Sequence, residues 1–251
     1  MRAVMRRSSA ALALWLALLM PVSAAFASEC RDLDHQGQSF TLCEAHLGKD
    51  DLRLFLTAPD GHNYASFGRL NAALAPARLG FAMNAGMYQP DLSPVGLYQE
   101  PGKAVGRLVT ADGPGNFGLL PNGVFCITPT RYRVVESRSY AKNPPDCLFA
   151  SQSGPLLVIK GKLHPKFLPT SASRHIRNGV GVSSDGQVAF FLISNQPVNF
   201  TEFAGVFRDL LQTPDALFFD GSISRLFAPD LGRNDFGFAM GPIIGTVAKA
   251  P

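Results

Sequence analysis

Charge is scarce in this chain: Asp, Glu, Lys and Arg make up 17% of its 251 residues, and there is one Trp. No block or stripe of basic residues occurs, which argues against a nucleic-acid partner. Heptads, internal repeats and low-complexity tracts are missing, so coiled coils, solenoids and disordered linkers are excluded. Beyond the first residues, no apolar run approaches the ~20 residues that a membrane-spanning helix needs. There is no C-x-x-C motif and no clustered His-Cys spacing of the kind that binds zinc. The five histidines (35, 46, 62, 164 and 175) are scattered, mostly beside turn residues. The carboxylates lack the paired spacing of a two-metal site, so neither metal nor cofactor is expected. Neither Ser153 nor Ser222 lies in a G-x-S-x-G elbow, so no serine nucleophile is assigned.

What is present begins with an address. Arg2, Arg6 and Arg7 precede the apolar run AALALWLALLM, and Ala25-Phe26-Ala27 fits a small-x-small cleavage pattern. Residues 1–27 read as a secretory signal peptide, with an uncleaved anchor as the rival reading. Residues 28–251 read as a single domain, long enough for a sizeable core. Without the three leader arginines the chain carries 20 basic and 19 acidic residues, close to neutrality. A periplasmic or secreted location follows. The four cysteines then meet an oxidising compartment, where Cys30–Cys43 and Cys126–Cys147 are expected as disulfides. Each loop so closed is of a size to add ~2–4 kcal/mol.

Gly and Pro are plentiful and punctuate short apolar runs. Leu52, Leu54 and Leu56 alternate before a Pro-Asp-Gly turn, as in a half-buried strand. RLGFAMN reads as a strand ending at Asn84, and VGLYQEPGK as a strand entering a Pro-Gly turn. Hairpins are expected around Pro121-Asn122-Gly123, at Lys160-Gly161 and through Ser184-Asp185-Gly186. Phe200, Phe203, Val206, Phe207, Leu210 and Leu211 recur at helical spacing. Asn199 and Glu202 stand as a capping box does, and Thr213-Pro214 ends the helix. The fold class is α+β or mixed α/β. A mixed sheet with hairpins and at least one strand–helix–strand crossover carries its helices on the flanks.

That crossover runs from VAFFLIS through the helix to ALFF. Such a unit makes its two strands parallel, so both finish at one edge of the sheet. Asn195 follows the first strand and Asp220 the second. Ligands in open α/β sheets sit outside the carboxyl ends of strands. Asp220 therefore stands where a cleft is expected, with a turn-capping Asp as the rival reading.

The segments MNAGMYQPDLSPVGLYQEPGK, NFGLLPNGVFCIT, QSGPLLVIKGKLHPKF, IRNGVGVSSDG and ALFFDGSISRLF occur in that order. Together they resemble the phosphodiester glycosidase family, in particular its bacterial exported branch, over about residues 81–247. The resemblance implies a hydrolase that splits a sugar-1-phosphodiester into free sugar and phosphomonoester. The chain departs from the family's Asp-Gly-Gly-Gly-Ser pattern at Asp220-Gly221-Ser222-Ile223-Ser224, where the bulk of Ile223 reshapes a close-approach loop.

The chemistry demands a cation for the phosphate, and Arg177 matches the family's arginine; its planar fork can hold two phosphate oxygens. A surface arginine paired to an acid is the alternative. Arg174 and His175 lie close enough in sequence to assist. Sugar C1 develops oxocarbenium character, so a carboxylate beside it serves as nucleophile or general base. Asp220 is the first candidate, and Glu100 is a second carboxylate for acid/base work unless it is an exposed turn residue. Asn84, Asn178 and Asn195 supply amides for sugar or phosphate. Gly86, Ser153, Gly154, Gly221 and Ser222 supply hydroxyl and backbone N–H donors for an anion. Two rival functions stay open: a phosphodiesterase cutting at phosphorus, and a non-catalytic glycan- or phosphate-binding module.

Overall fold

The computed structural model describes residues 30–248, together with Met1; apart from Met1, the expected leader lies outside the described residues. In chain order the strands are β1 (Cys30–His35), β2 (Gln38–His46), β3 (Asp51–Phe55), β4 (Arg78–Asn84), β5 (Tyr98–Glu100) and β6 (Lys103–Val105). There follow β7 (Gly123–Ile127), β8 (Tyr132–Glu136), β9 (Phe149–Ser153), β10 (Leu156–Ile159) and β11 (Lys162–Leu163). The last are β12 (Asn178–Val182), β13 (Val188–Ser194), β14 (Asp215–Asp220), β15 (Leu226–Ala228), β16 (Arg233–Asn234) and β17 (Ile243–Ala248). The α-helices are α1 (Phe67–Ala73), α2 (Ser137–Lys142) and α3 (Phe200–Gly205), the last continuing as a π-helix over Val206–Leu210.

The strands form three sheets: β1-β2-β13-β12-β14-β10-β11, β16-β15-β4-β17-β3 and β6-β5-β9-β7-β8. The architecture is therefore mostly β, with few and short helices, which narrows the α+β or mixed α/β class expected. It also replaces one mixed sheet with three in which the paired strands named here run antiparallel. The reason is local. β13 and β14 do flank a helical crossover, but β12 lies between them and pairs antiparallel with both. The two strands are thus parallel to each other, and both end where β12 begins.

The three sheets enclose one apolar core. Phe81 of β4, Phe125 of β7 and Phe191 of β13 meet there, with ring centroids 5.3 and 5.8 Å apart. Helix α3 covers the other face of the first sheet, with Phe203 and Phe207 among Leu192, Ala216 and Phe218. The sequence Asn178-Gly-Val-Gly-Val encodes this two-sided burial. Val180 and Val182 face the central core, while glycines occupy the helix side. A Cβ at Gly181 would lie 2.6 Å from the Phe207 ring, and one at Gly179 would lie 2.6 Å from Leu217 O. A side chain at Gly181 would push the helix off the sheet, and one at Gly179 would collide with the backbone of the neighbouring strand.

Helix α3 begins as expected: Asn199 Oδ1 accepts the Glu202 N–H, and Glu202 Oε2 accepts the Asn199 N–H. Two expected hairpins form, β12–β13 and β10–β11. Lys160 and Gly161 both adopt positive φ (49° and 76°), the conformation a two-residue turn of this hand requires. The hairpin expected at Pro121-Asn122-Gly123 turns elsewhere. Leu120–Pro121 is cis, and Asn122 is buried and donates to Phe117 O at 3.2 Å. Gly123 instead opens β7, which turns back into β8 where Thr128 and Arg131 bond to each other. Both disulfides form, Cys30–Cys43 across β1 and β2 and Cys126–Cys147 from β7 to the segment before β9.

Candidate functional site

The ends of strands from all three sheets converge. β12 begins at Asn178, β13 ends at Ser194 and β14 ends at Asp220. β4 of the second sheet ends at Asn84, and β9 of the third ends at Ser153. Ser153 Oγ donates to Phe219 O at 2.9 Å, which ties the third sheet to the first. Asn84 and Asn178, both fully buried, tie the second to the first. Asn178 Nδ2 donates to Asn84 O at 2.8 Å, and Asn84 Nδ2 to Asn178 Oδ1 at 3.3 Å. Asn84 Oδ1 also accepts the Arg225 N–H at 2.9 Å. These amides are occupied by the sheet junction itself.

Asp220 lies across the ladder from Asn178, at an irregularity in the β12–β14 register. It is 9% exposed. Its Oδ1 accepts the N–H groups of Gly221 (2.5 Å) and Ser222 (2.7 Å), so Gly221 and Ser222 spend their donors on the carboxylate. Burial pushes the carboxyl above the ordinary carboxylate range, and the N–H groups of Ser222, Gly221 and Ile223 offset part of that rise. Tyr88, beyond the end of β4, is in the field of Asp220. Its phenol is pushed up to about 12, first by burial and then by the Asp220 charge, so it keeps its proton at neutral pH.

Arg177 is 0% exposed and, among the described residues, forms no ion pair with a carboxylate. Nε donates to Val198 O at 2.9 Å and Nη2 to Ser173 O at 3.0 Å, whereas Nη1 has no hydrogen-bond partner. The guanidinium carbon sits 3.8 Å from the Phe200 ring centroid and 5.5 Å from that of Phe218. Burial alone lowers its pKa to about 10, so it remains a cation. Gly221 presses against it: a Cβ there would lie 3.3 Å from Nη1. A buried charge without a counter-charge is costly, and a buried donor left unpaired costs ~1–3 kcal/mol. The arrangement is poised for an anion.

The remaining candidates divide. Gly86 is required by close approach, since a Cβ would lie 2.3 Å from Gln152 O, and its N–H goes to Ser151 Oγ. Gly154 packs against Asn122 ahead of the cis bond to Pro155. Asn195 sits beside the convergence, where its Oδ1 accepts from Arg233 at 2.7 Å. Arg174 pairs with Glu202, and His175 is exposed beside Gly221. Glu100 is not brought to this edge. Its carboxylate accepts the Tyr98 hydroxyl, and Tyr98 and Gln99 pair with Ser151 and Ala150 while running away from Ser153. The register puts Glu100 about four residues from that end, roughly 13 Å along the strand.

Sequence reasoning passed over Tyr88, Ser224 and Arg225. Arg225 is buried, and Ser224 Oγ donates to Asp220 O at 2.9 Å. A cavity of about 480 Å³ opens next to them, lined by Ile176, Ser194, Asn195, Ser224, Arg225, Arg233, Asp235 and Phe236. Among the described residues no group of three His, Cys, Asp or Glu side chains converges as a metal site would.

The chain belongs to the phosphodiester glycosidase family, whose profile matches residues 77–239. That span holds Asn84, Arg177, Asp220 and the cavity. The chain is 37% identical over 169 residues to the uncharacterized protein YigE of Escherichia coli (strain K12), covering 66% of each chain. The same fold occurs in the zebrafish N-acetylglucosamine-1-phosphodiester alpha-N-acetylglucosaminidase catalytic domain, auto-inhibited by its pro-peptide (TM-score 0.60, 16% identity, 89% of this chain and 84% of that one). A hypothetical protein from Synechocystis is similar in fold as well (TM-score 0.50, 14% identity, 87% and 61% covered).

Proposed function

We propose that this chain is an exported hydrolase that cleaves the C1–O bond of a sugar-1-phosphodiester, releasing free sugar and a phosphomonoester. The observation that carries the reading is Arg177: a fully buried guanidinium with no acid, one unpartnered N–H, and Gly221 of the Asp220 loop against it. A phosphodiester supplies the missing charge and the missing acceptor. It reaches Nη1 through a shift of the Gly221–Ser222 segment, which at Gly221 has no side chain to anchor it.

Asp220 is the carboxylate assigned to the sugar side. Either it attacks C1 directly, forming a glycosyl ester that a water then hydrolyses to free sugar, or it takes the proton of the attacking water; in both routes the C1–O bond breaks and its electron pair leaves with the phosphate. The leaving group departs as a stabilised anion and needs little proton donation. Tyr88 keeps its proton and donates it to Ala239 O at 3.1 Å, so it holds the chain beside Asp220 and is given no proton-transfer role. Glu100 has no part in this scheme. Two disulfides suit the oxidising compartment that residues 1–27 imply. The zebrafish enzyme's name makes N-acetylglucosamine-1-phosphate diesters the first substrates to try.

Hydrolysis in oxygen-18 water decides the bond. Label in the released sugar is the expected result. Label in the phosphate moves the cut to phosphorus, and binding without turnover leaves only the binding-module reading.

A further inference from the structure

The segment between β16 and β17 carries the most exposed large apolar side chains among residues 30–248. Phe236 is 88% exposed and Phe238 83%, and Gly237 and Ala239 are exposed with them. The other large apolar side chains left in water there, Leu148, Leu168, Leu210 and Leu231, are 67% exposed at most. Single exposed leucines are ordinary, but a run of four exposed apolar residues calls for a function.

The backbone imposes this exposure. Asp235 N–H donates to Leu226 O at 3.0 Å and Met240 N–H to Ala65 O at 2.9 Å, so both ends of the segment are pinned. Between them the Arg225 guanidinium donates to Phe238 O, and the Tyr88 hydroxyl to Ala239 O at 3.1 Å. Gly237, at φ 152°, lies against Arg225: a Cβ there would be 3.1 Å from the guanidinium carbon. A buried arginine and a tyrosine thus hold two rings outward, which leaves little ordering to be done when they are covered.

What covers them follows from shape and charge. A stable protein complex needs a matching face of about 800 Å² on each partner. Rings this exposed touch little of their own protein and form a point, not a face. A lipid interface needs no matching shape, because it closes around any apolar group that enters it. The cavity wall behind the rings carries Arg225 and Arg233 against one carboxylate, Asp235, so the tip is backed by net positive charge. We propose that Phe236 and Phe238 form an interfacial anchor that seats the protein on an anionic lipid surface. The mouth of the cavity, which Phe236 edges, then opens toward the head groups. The proposal goes beyond the hydrolase reading and does not depend on it.

The test uses the full chain after export, with phosphatidylglycerol vesicles as the probe and phosphatidylcholine vesicles as the comparison. The unsubstituted chain is expected to sediment with the phosphatidylglycerol vesicles and less with the others. Phe238→Ser should weaken that partitioning about tenfold, with an unchanged melting temperature because the side chain is exposed. The sequence has one Trp, Trp15, in the expected leader, so Phe236→Trp places a reporter at the tip and the unsubstituted chain supplies the background. Its emission should shift to the blue on phosphatidylglycerol and be quenched by bromine-labelled acyl chains. No sedimentation, partitioning that Phe238→Ser leaves unchanged, equal binding to both lipids, or a reporter that stays in water each overturn the proposal. So does a dimer of the free chain that Phe238→Ser abolishes, since a second copy would then cover the rings. Turnover enters none of these readings, so failure of the hydrolase reading shows separately.

Discussion

Arg177 and Arg233 stand on either side of the end of β13 and are treated in opposite ways. Arg233 is partly exposed and fully engaged: it pairs with Asp235 and donates to Thr41 at 2.9 Å and Asn195 at 2.7 Å. It braces β2, the end of β13 and β16 against one another. Arg177 is more deeply buried, faces two aromatic rings and meets no acid. A fold selected for stability alone would reverse the assignment, giving the buried cation the carboxylate. The contrast teaches that one guanidinium is a strut and the other is an open valence.

The largest expected effect attacks that valence. Arg177→Lys keeps a positive charge but loses the planar fork and the stack on Phe200. Hydrolysis of a sugar-1-phosphodiester is expected to fall about 10²–10³-fold, the usual cost of one misplaced charge-stabilising donor. Full activity in this variant would make Arg177 a strut as well and erase the comparison.

Stability should separate the two arginines in the other direction. Arg177→Met removes an uncompensated buried charge without orphaning its acceptors: Val198 O still takes the His175 N–H, and Ser173 is exposed. Replacing a buried charge by an apolar chain of similar size is often neutral or stabilising, so the melting temperature should hold or rise. Arg233→Met breaks the Asp235 pair and two hydrogen bonds, and should cost about 1–2 kcal/mol. For a chain of this size that lowers the midpoint by ~2–4 °C per kcal/mol in a thermal melt. Equal shifts in the two variants would show that neighbours compensate Arg177 after all.

Much of this contrast was written in the sequence, but only where the determinants are local. The Asn199/Glu202 box, the Lys160-Gly161 turn and the end of β14 at Asp220 each depend on a few adjacent residues. The turn assigned to Pro121-Asn122-Gly123 failed because a cis bond and a buried Asn122 carry the chain onward, which no dipeptide signals. The three sheets were not legible, since β2 meets β13 and β4 meets β17 across more than a hundred residues. Arg177 and Asp220 stood out by motif and strand-end position. Whether Arg177 had an acid partner depended on the packing of Phe200 and Phe218 around it. Glu100 shared the motif signal, yet its strand runs away from the edge. Arg225 and Tyr88 sat inside the motif segments, but nothing about their immediate neighbours singled either out.

The finest test asks whether the carboxylate near Arg177 feels its charge or only its own burial. Asp220 has its folded pKa raised above the unfolded value of 3.8, with desolvation as the main cause. Between those two values the native state holds a proton that the unfolded chain has released. The linkage slope is then negative: stability falls as pH rises through that window and stays level above it. Asp220→Asn retains an Oδ1 acceptor for Gly221 and Ser222 but cannot ionise. Thermal melts from about pH 3 to about pH 7 should therefore show the unsubstituted protein losing stability relative to Asp220→Asn, with the loss complete above the folded pKa. If the unsubstituted protein instead gained stability over that range, Asp220 would already be charge-paired in the free protein, and Arg177 would no longer be waiting for an anion.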